Sequence, residues 1–160
     1  GENLYVYCGN DPVNRIDPTG LTDYTADETQ QQLDAGLASY LYQRAYGGAE
    51  VGELAVLSDF VDNHGAFGRY DFAHTRQHGD RWRVGDDCLN AGDFGNYFVG
   101  YMAGGLWGDG IFSNVSLFLS GWYYFMFERA QYDNPMSDEI RDQAILDGAI
   151  DDAVARTSPL

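Results

Sequence analysis

The stretch ETQQQLDAGLASYLYQRAY, from Glu28 to Tyr46, decides the class of fold. Leu33, Leu37, Leu41 and Ala45 recur at fourfold spacing, and Tyr40 lies one turn from Leu37. That spacing predicts a helix with one apolar face. Asp27 is placed to cap its start, and Gly47-Gly48 to end it. Reading outward, Glu53 to Asn63 predicts a second, shorter helix. Leu54, Leu57 and Val61 share one face, Phe60 lies beside them, and Asn63-His64-Gly65 is the stop. Ala66 to Asp93 is irregular, polar and punctuated by glycine, with Arg81-Trp82-Arg83-Val84 as a short strand inside it. Phe94 to Trp107 is apolar and rich in glycine. Ile111 to Arg129 is strongly apolar and predicts a helix. After Pro135 and Ser137 a last amphipathic helix carries Ile140, Ala144, Ile145, Ile150 and Val154 as its stripe. The expected fold is mainly α, an α-rich α+β domain with a long irregular central loop.

Composition narrows the functions. The chain has 160 residues, about one domain. Apolar residues make up 44% and aromatic ones 15%, enough for a core. The formal net charge is −16, which repels nucleic-acid backbones and anionic lipid at long range, so long nucleic acid is disfavoured as a partner. All nine basic residues are arginines. Without lysine there is no Schiff base, no P-loop lysine and no Ser–Lys dyad. Cys8 and Cys88 allow one disulfide but no framework. No basic n-region or apolar h-region opens the chain. It also begins without methionine, and is expected to be the end of something longer.

The first 21 residues, GENLYVYCGNDPVNRIDPTGL, read as a separate unit. Leu4-Tyr5-Val6-Tyr7 alternates like a strand. Asn10-Asp11-Pro12 and Asp17-Pro18-Thr19-Gly20 are turn formers, and Asp17 reads equally as a turn cap. Asn3 to Tyr7, Gly9 to Asn14 and Asp17 to Leu21 together resemble the end of the RHS/YD-repeat-associated core. In that family the motif closes a large β-strand cage, and a variable C-terminal toxin domain follows it. The resemblance implies a boundary between 1–21 and 22–160. It also implies autoproteolysis at Asp17, Pro18, Gly20 and Leu21, just after the motif. It implies a secreted effector delivered into a competing cell, with the parent cage and a cognate immunity protein as partners.

Within the cargo, chemistry collects in the central stretch. His64, His74 and His78 fall within fifteen residues, and Arg69, Arg76, Arg81 and Arg83 lie nearby. In so acidic a chain this segment suits an anionic or carbohydrate-like substrate. The same arginines suit local pairs with Asp71, Asp80, Asp86 and Asp87. Tyr70-Asp71-Phe72, followed by Asp93-Phe94-Gly95-Asn96-Tyr97-Phe98-Val99-Gly100, resembles the polymorphic toxin type 44 domain. The tail around Asp133-Asn134-Pro135, Asp138-Glu139 and Asp147-Gly148 is also similar to that family. Where the family has lysine after the aromatic, this chain has Ala73, with His74 next.

Asp71 and His74 are three apart, a carboxylate–imidazole pair suited to general acid–base hydrolysis. Asp93 is a positioning group beside them. Asn96 can serve as an oxyanion donor, Gly95 permits close backbone approach, and Arg76 and His78 are substrate contacts. No GxSxG is present, and Cys88 lies beside Asp86 and Asp87, which oppose a thiolate. No cofactor is required, although His74, His78 and Asp71, or His64, have ligand types for a divalent metal. A metal-dependent nuclease is therefore one alternative. A pore former is another. Phe94 to Gly108 and Gly110 to Phe127 are uncharged runs of 15 and 18 residues, the second at the lower edge of spanning length. Only that alternative makes a membrane the partner.

Overall fold

The computed structural model describes residues 22–47, 49–65, 68–72, 79–110 and 136–157. The processing motif at Asp17, Pro18, Gly20 and Leu21, the helix expected over Ile111 to Arg129, and His74, Arg76 and His78 all lie outside them. Strand β1 (Asp23–Tyr24) leads into helix α1 (Ala26–Gly47). Helix α2 (Ala49–His64) follows, then strands β2 (Arg81–Val84) and β3 (Asp87–Asn90). Helices α3 (Ala91–Trp107) and α4 (Met136–Thr157) complete the described fold. It is the mainly helical α+β architecture expected, with a small sheet in the order β1-β2-β3.

Helix α1 starts two residues earlier than expected, on a capping box. The Thr25 hydroxyl accepts from the Glu28 N–H at 3.3 Å, and the Glu28 carboxylate accepts from the Thr25 N–H at 2.8 Å. Each side chain thus satisfies a donor the helix leaves orphaned. Thr25, rather than Asp27, is the cap. The buried face runs through Thr29, Leu33, Leu37 and Tyr40. Leu41 is 40% exposed and Ala45 is exposed. A fourfold repeat turns about 40° beyond a full circle at each step, so it drifts off the face that Leu33 begins. Tyr40 takes over where Leu41 leaves.

Helix α2 is longer than expected and turned in phase. Val56 and Phe60 are fully buried, whereas Leu54 is 71% exposed and Leu57 and Val61 are half-buried. The phase follows Phe60, whose ring removes more apolar surface from water than a leucine does. Arg44 near the end of α1 pairs with Glu53 near the start of α2 and donates to the Leu106 carbonyl at 2.8 Å. Glu53 also accepts from the Trp107 indole at 3.2 Å. Three helix ends are tied together there.

The expected strand at Arg81–Val84 is present, and it is half of a hairpin. It pairs antiparallel with β3 from Arg81↔Asn90 to Val84↔Asp87. Two residues, Gly85 and Asp86, make the turn, and Gly85 takes φ of 56°, as the first position of a primed turn requires. Strand β1 adds in parallel on the other side, with Asp23↔Arg81 and Tyr24↔Trp82.

Asn90 ends the hairpin and caps α3. Its amide oxygen accepts from the Asp93 N–H at 3.0 Å, and its amide nitrogen donates to the Asp93 carboxylate at 2.8 Å. Helix α3 is buried over most of its surface, from Ala91 and Phe94 to Met102 and Leu106. It is the centre of the fold, with α1 on one side and α4 on another. Backbones approach closely at the second contact. A methyl group on Gly100 would come within 2.7 Å of the Leu146 carbonyl, and one on Gly104 within 2.9 Å of Ile150. In α4 the face that meets α3 carries Ala149, Ile150 and Ala153, while Ala144, expected in the stripe, is exposed.

Candidate functional site

Aromatic packing brings together the two motif stretches. After α2 the chain turns tightly, with the Tyr70 N–H donating to the Asn63 carbonyl at 2.9 Å and the Asp71 N–H to the Gly68 carbonyl at 3.1 Å. This turn lays Tyr70 and Phe72 on α3. Tyr70 lies 4.8 Å from Phe98, and Phe72 lies 4.9 Å from Phe94 and 5.2 Å from Phe98, between ring centroids. Trp82 stacks on Phe94 at 4.6 Å with the rings nearly parallel. The aromatic positions of the motif therefore build one wall.

A cleft of about 280 Å³ opens on that wall. Its floor and sides are Gln32, Ala35, Gly36 and Ser39 from α1, Arg69, Tyr70 and Phe72 from the turn, and Phe98 from α3. The small residues of α1 make the room. A methyl group on Gly36 would sit 2.7 Å from the Phe98 ring, so glycine is what lets α3 approach. Arg69 is exposed at the rim with its guanidinium 5.3 Å from the centre of the Tyr70 ring, a cation–π arrangement. The Gln32 carbonyl accepts from the Trp82 indole at 3.3 Å, which leaves its NH2 to donate. Ser39 adds a hydroxyl. A guanidinium, an amide NH2 and a hydroxyl over aromatic faces suit a ligand rich in hydrogen-bond acceptors, with an anionic group for Arg69.

Asp71 is 5% exposed, between the two wall residues Tyr70 and Phe72. Asp93, expected as a positioning group, is 7% exposed and engaged in the α3 cap, where it fixes the helix start. Asn96 and Gly95 are half-buried one turn further on, and a methyl group on Gly95 would meet nothing within 4 Å. The arginines of the hairpin, Arg81 and Arg83, are exposed. Cys88 is exposed on β3.

His64 stands apart from the other sequence candidates. Its ring is packed against Phe60 at 4.4 Å, Tyr70 at 5.2 Å and Phe98 at 5.8 Å. Its Nε2 has no hydrogen-bond partner among the described residues. Burial drives its pKa down to about 3, so the ring is neutral at pH 7. Among the described residues no group of His, Cys, Asp and Glu is placed to hold a metal ion. Nor is any described helix long and apolar enough to cross a membrane. The first of the two uncharged runs, Phe94 to Gly108, supplies the middle of the core through its residues from Phe94 to Leu106.

Sequence reasoning singled out Tyr70 to Phe72 and named Arg69, but missed Gln32, Ser39 and the small-residue face of α1. The available signal was Gly36 inside a helical pattern, where a glycine is costly unless something packs closely on it. No family model matches the chain, and neither a curated protein nor a solved structure is detectably similar to it.

Proposed function

We propose that residues 22–160 are the toxin domain of an RHS-type secreted effector, and that this domain is a hydrolase whose substrate lies in the Tyr70–Phe98 cleft. The supporting observation is a coincidence of two readings. Tyr70-Asp71-Phe72 is part of the pattern on which the toxin resemblance rests, and its two aromatic residues line the cleft with Asp71 buried between them. Asp71 is the carboxylate of the acid–base pair, with His74 as its expected imidazole. Arg69 and Arg76 are the anion contacts, and Asn96, Gly95, Asp93 and His78 support the substrate or the groups that hold it. The donor-rich lining favours a substrate with a phosphate or carboxylate, such as a nucleotide or a cell-wall precursor, over a neutral one.

The test is growth of a bacterium that expresses the full chain, once in the cytoplasm and once with an export signal. Growth should stop in one compartment. Asp71→Asn should restore growth, and Arg69→Ala should weaken killing by roughly tenfold or more, in line with loss of a charge-assisted contact. Killing by both variants at the original level would sink the hydrolase. Dye release from liposomes by the purified chain would replace it with the pore.

A further inference from the structure

We infer that Asp80 is a binding site for the α-ammonium group of Thr22, filled when the chain is cut after Leu21. The inference rests on the processing reading above, and concerns what the cut does to the domain it releases. Asp80 is 5% exposed, at the entrance to β2. Its Oδ1 accepts from the Thr22 N–H at 2.8 Å. The next link is backbone to backbone, with the Arg81 N–H donating to the Thr22 carbonyl at 2.9 Å. Asp23 and Tyr24 then run beside Arg81 and Trp82, and the Tyr24 ring stacks on Trp82 at 5.1 Å. Thr22 is thus held through both its N–H and its carbonyl, with its nitrogen on a buried carboxylate.

A buried carboxylate is costly, and one neutral N–H offsets only part of that cost. Hydrolysis of the Leu21–Thr22 bond adds water across the C–N bond. It leaves a carboxylate on Leu21 and, after protonation, an ammonium on Thr22. The neutral donor at 2.8 Å from Asp80 then becomes a cation without any movement of the strand. A charge-assisted bond replaces an ordinary one and is roughly twice as strong. Cleavage therefore tightens β1 onto β2, and through Tyr24 and Trp82 onto Phe94 and the wall of the cleft. Other charged groups on the elements packed there are Asp23 on β1, Arg81 and Arg83 on β2, Asp87 on β3, Asp27, Glu28, Asp34 and Arg44 on α1, and Asp93 on α3.

The chain offers a clean readout because it contains no lysine. Its amines are the terminal ones alone. The experiment uses the full chain with residues 18–21 replaced by an Ile-Glu-Gly-Arg protease site, cut in the folded state to expose Thr22. The rate of amine labelling at Thr22 is followed against pH by mass spectrometry, which separates it from Gly1. The expected Thr22 pKa is about one unit or more above the ~7.7–8.0 of a free α-amino group. At pH 7 labelling should be roughly tenfold slower than for the same chain unfolded in urea, one pKa unit being tenfold in free amine. Asp80→Asn should return the pKa to the ordinary range, and all the other charges stay in place in that comparison. A Thr22 amine that titrates normally in the cut, folded chain overturns the inference, and this needs no variant to fold. Terminal sequencing of the naturally processed parent decides the other question. A first residue other than Thr22 would remove the processing reading, whatever the engineered cut shows.

Discussion

His64 carries the clearest residue-scale consequence of burial. In the unfolded chain it takes up a proton near pH 6.5, but in the fold its pKa lies at about 3. The unfolded state therefore binds more protons between those values, and stability must fall as pH falls through that window. Above pH 6.5 both states are neutral and the contribution is complete. Its slope approaches about 1.4 kcal/mol per pH unit. The volume-matched variant His64→Leu has no such proton. Between pH 7 and pH 4.5 the parent should lose roughly 2–3 kcal/mol more than His64→Leu in urea unfolding. Parallel pH profiles for the two proteins would show that the ring is reached by water or paired. Tyr97 shows burial acting on an acid. Burial, then the hydrogen bond to Asp152 at 2.6 Å, pushes the Tyr97 phenol above its ordinary range, so it stays a donor at every pH of interest.

At the scale of elements, glycines divide into those that allow packing and those that do not. Gly100 and Gly104 lie under the backbone of α4, where a methyl group would meet Leu146 and Ile150 at 2.7 and 2.9 Å. Alanine at either should destabilise by about 1–3 kcal/mol, because backbone cannot yield as a side chain can. Gly95 has nothing within 4 Å. Gly95→Ala should stabilise by about 0.5–1 kcal/mol through helix propensity alone. If Gly95 also faces substrate, the same variant kills less while melting higher, and that split separates a binding role from a structural one. The contrast also marks how far sequence can be read. The α1 and α2 spans, the stop at His64 and the Arg81–Val84 strand follow from local chemistry, which acts within one turn or one hairpin. Two further signals of that kind are the Thr25-x-x-Glu28 capping box and the Gly85-Asp86 hairpin turn. The phase of α2 and the burial of α3 are different in kind. They depend on which partner each face meets, so the spacing of Leu54 and Leu57 reads as core where the fold exposes Leu54, and the uncharged run from Phe94 to Gly108 reads first as a core helix, with half of a membrane hairpin as the rival. The cleft is harder still, since Gln32 and Tyr70 are brought together only by the fold.

Across the whole molecule the governing quantity is charge. Twenty-five acidic residues face nine arginines. Among the described residues Arg44 pairs with Glu53, and the pair is partly exposed. Such a pair contributes little, and salt weakens it. Repulsion among the remaining carboxylates acts over the whole surface and opposes the compact state. Salt screens that repulsion too, with a Debye length that shrinks from about 30 Å at 0.01 M to about 8 Å at 0.15 M. The two effects have opposite signs, and their relative size decides the outcome. At a net charge of −16, relief of repulsion must dominate. The melting temperature should therefore rise between 0.01 and 0.15 M sodium chloride. A gain of about 1 kcal/mol would appear as roughly 2–4 °C for a chain of this size. Chloride and sulfate at equal ionic strength should give similar rises if screening is the cause, whereas a larger rise with sulfate or phosphate would point to an anion held at Arg69. A fall in melting temperature with added salt would mean that attractive pairs outweigh the net charge, and would undo the electrostatic account of this fold.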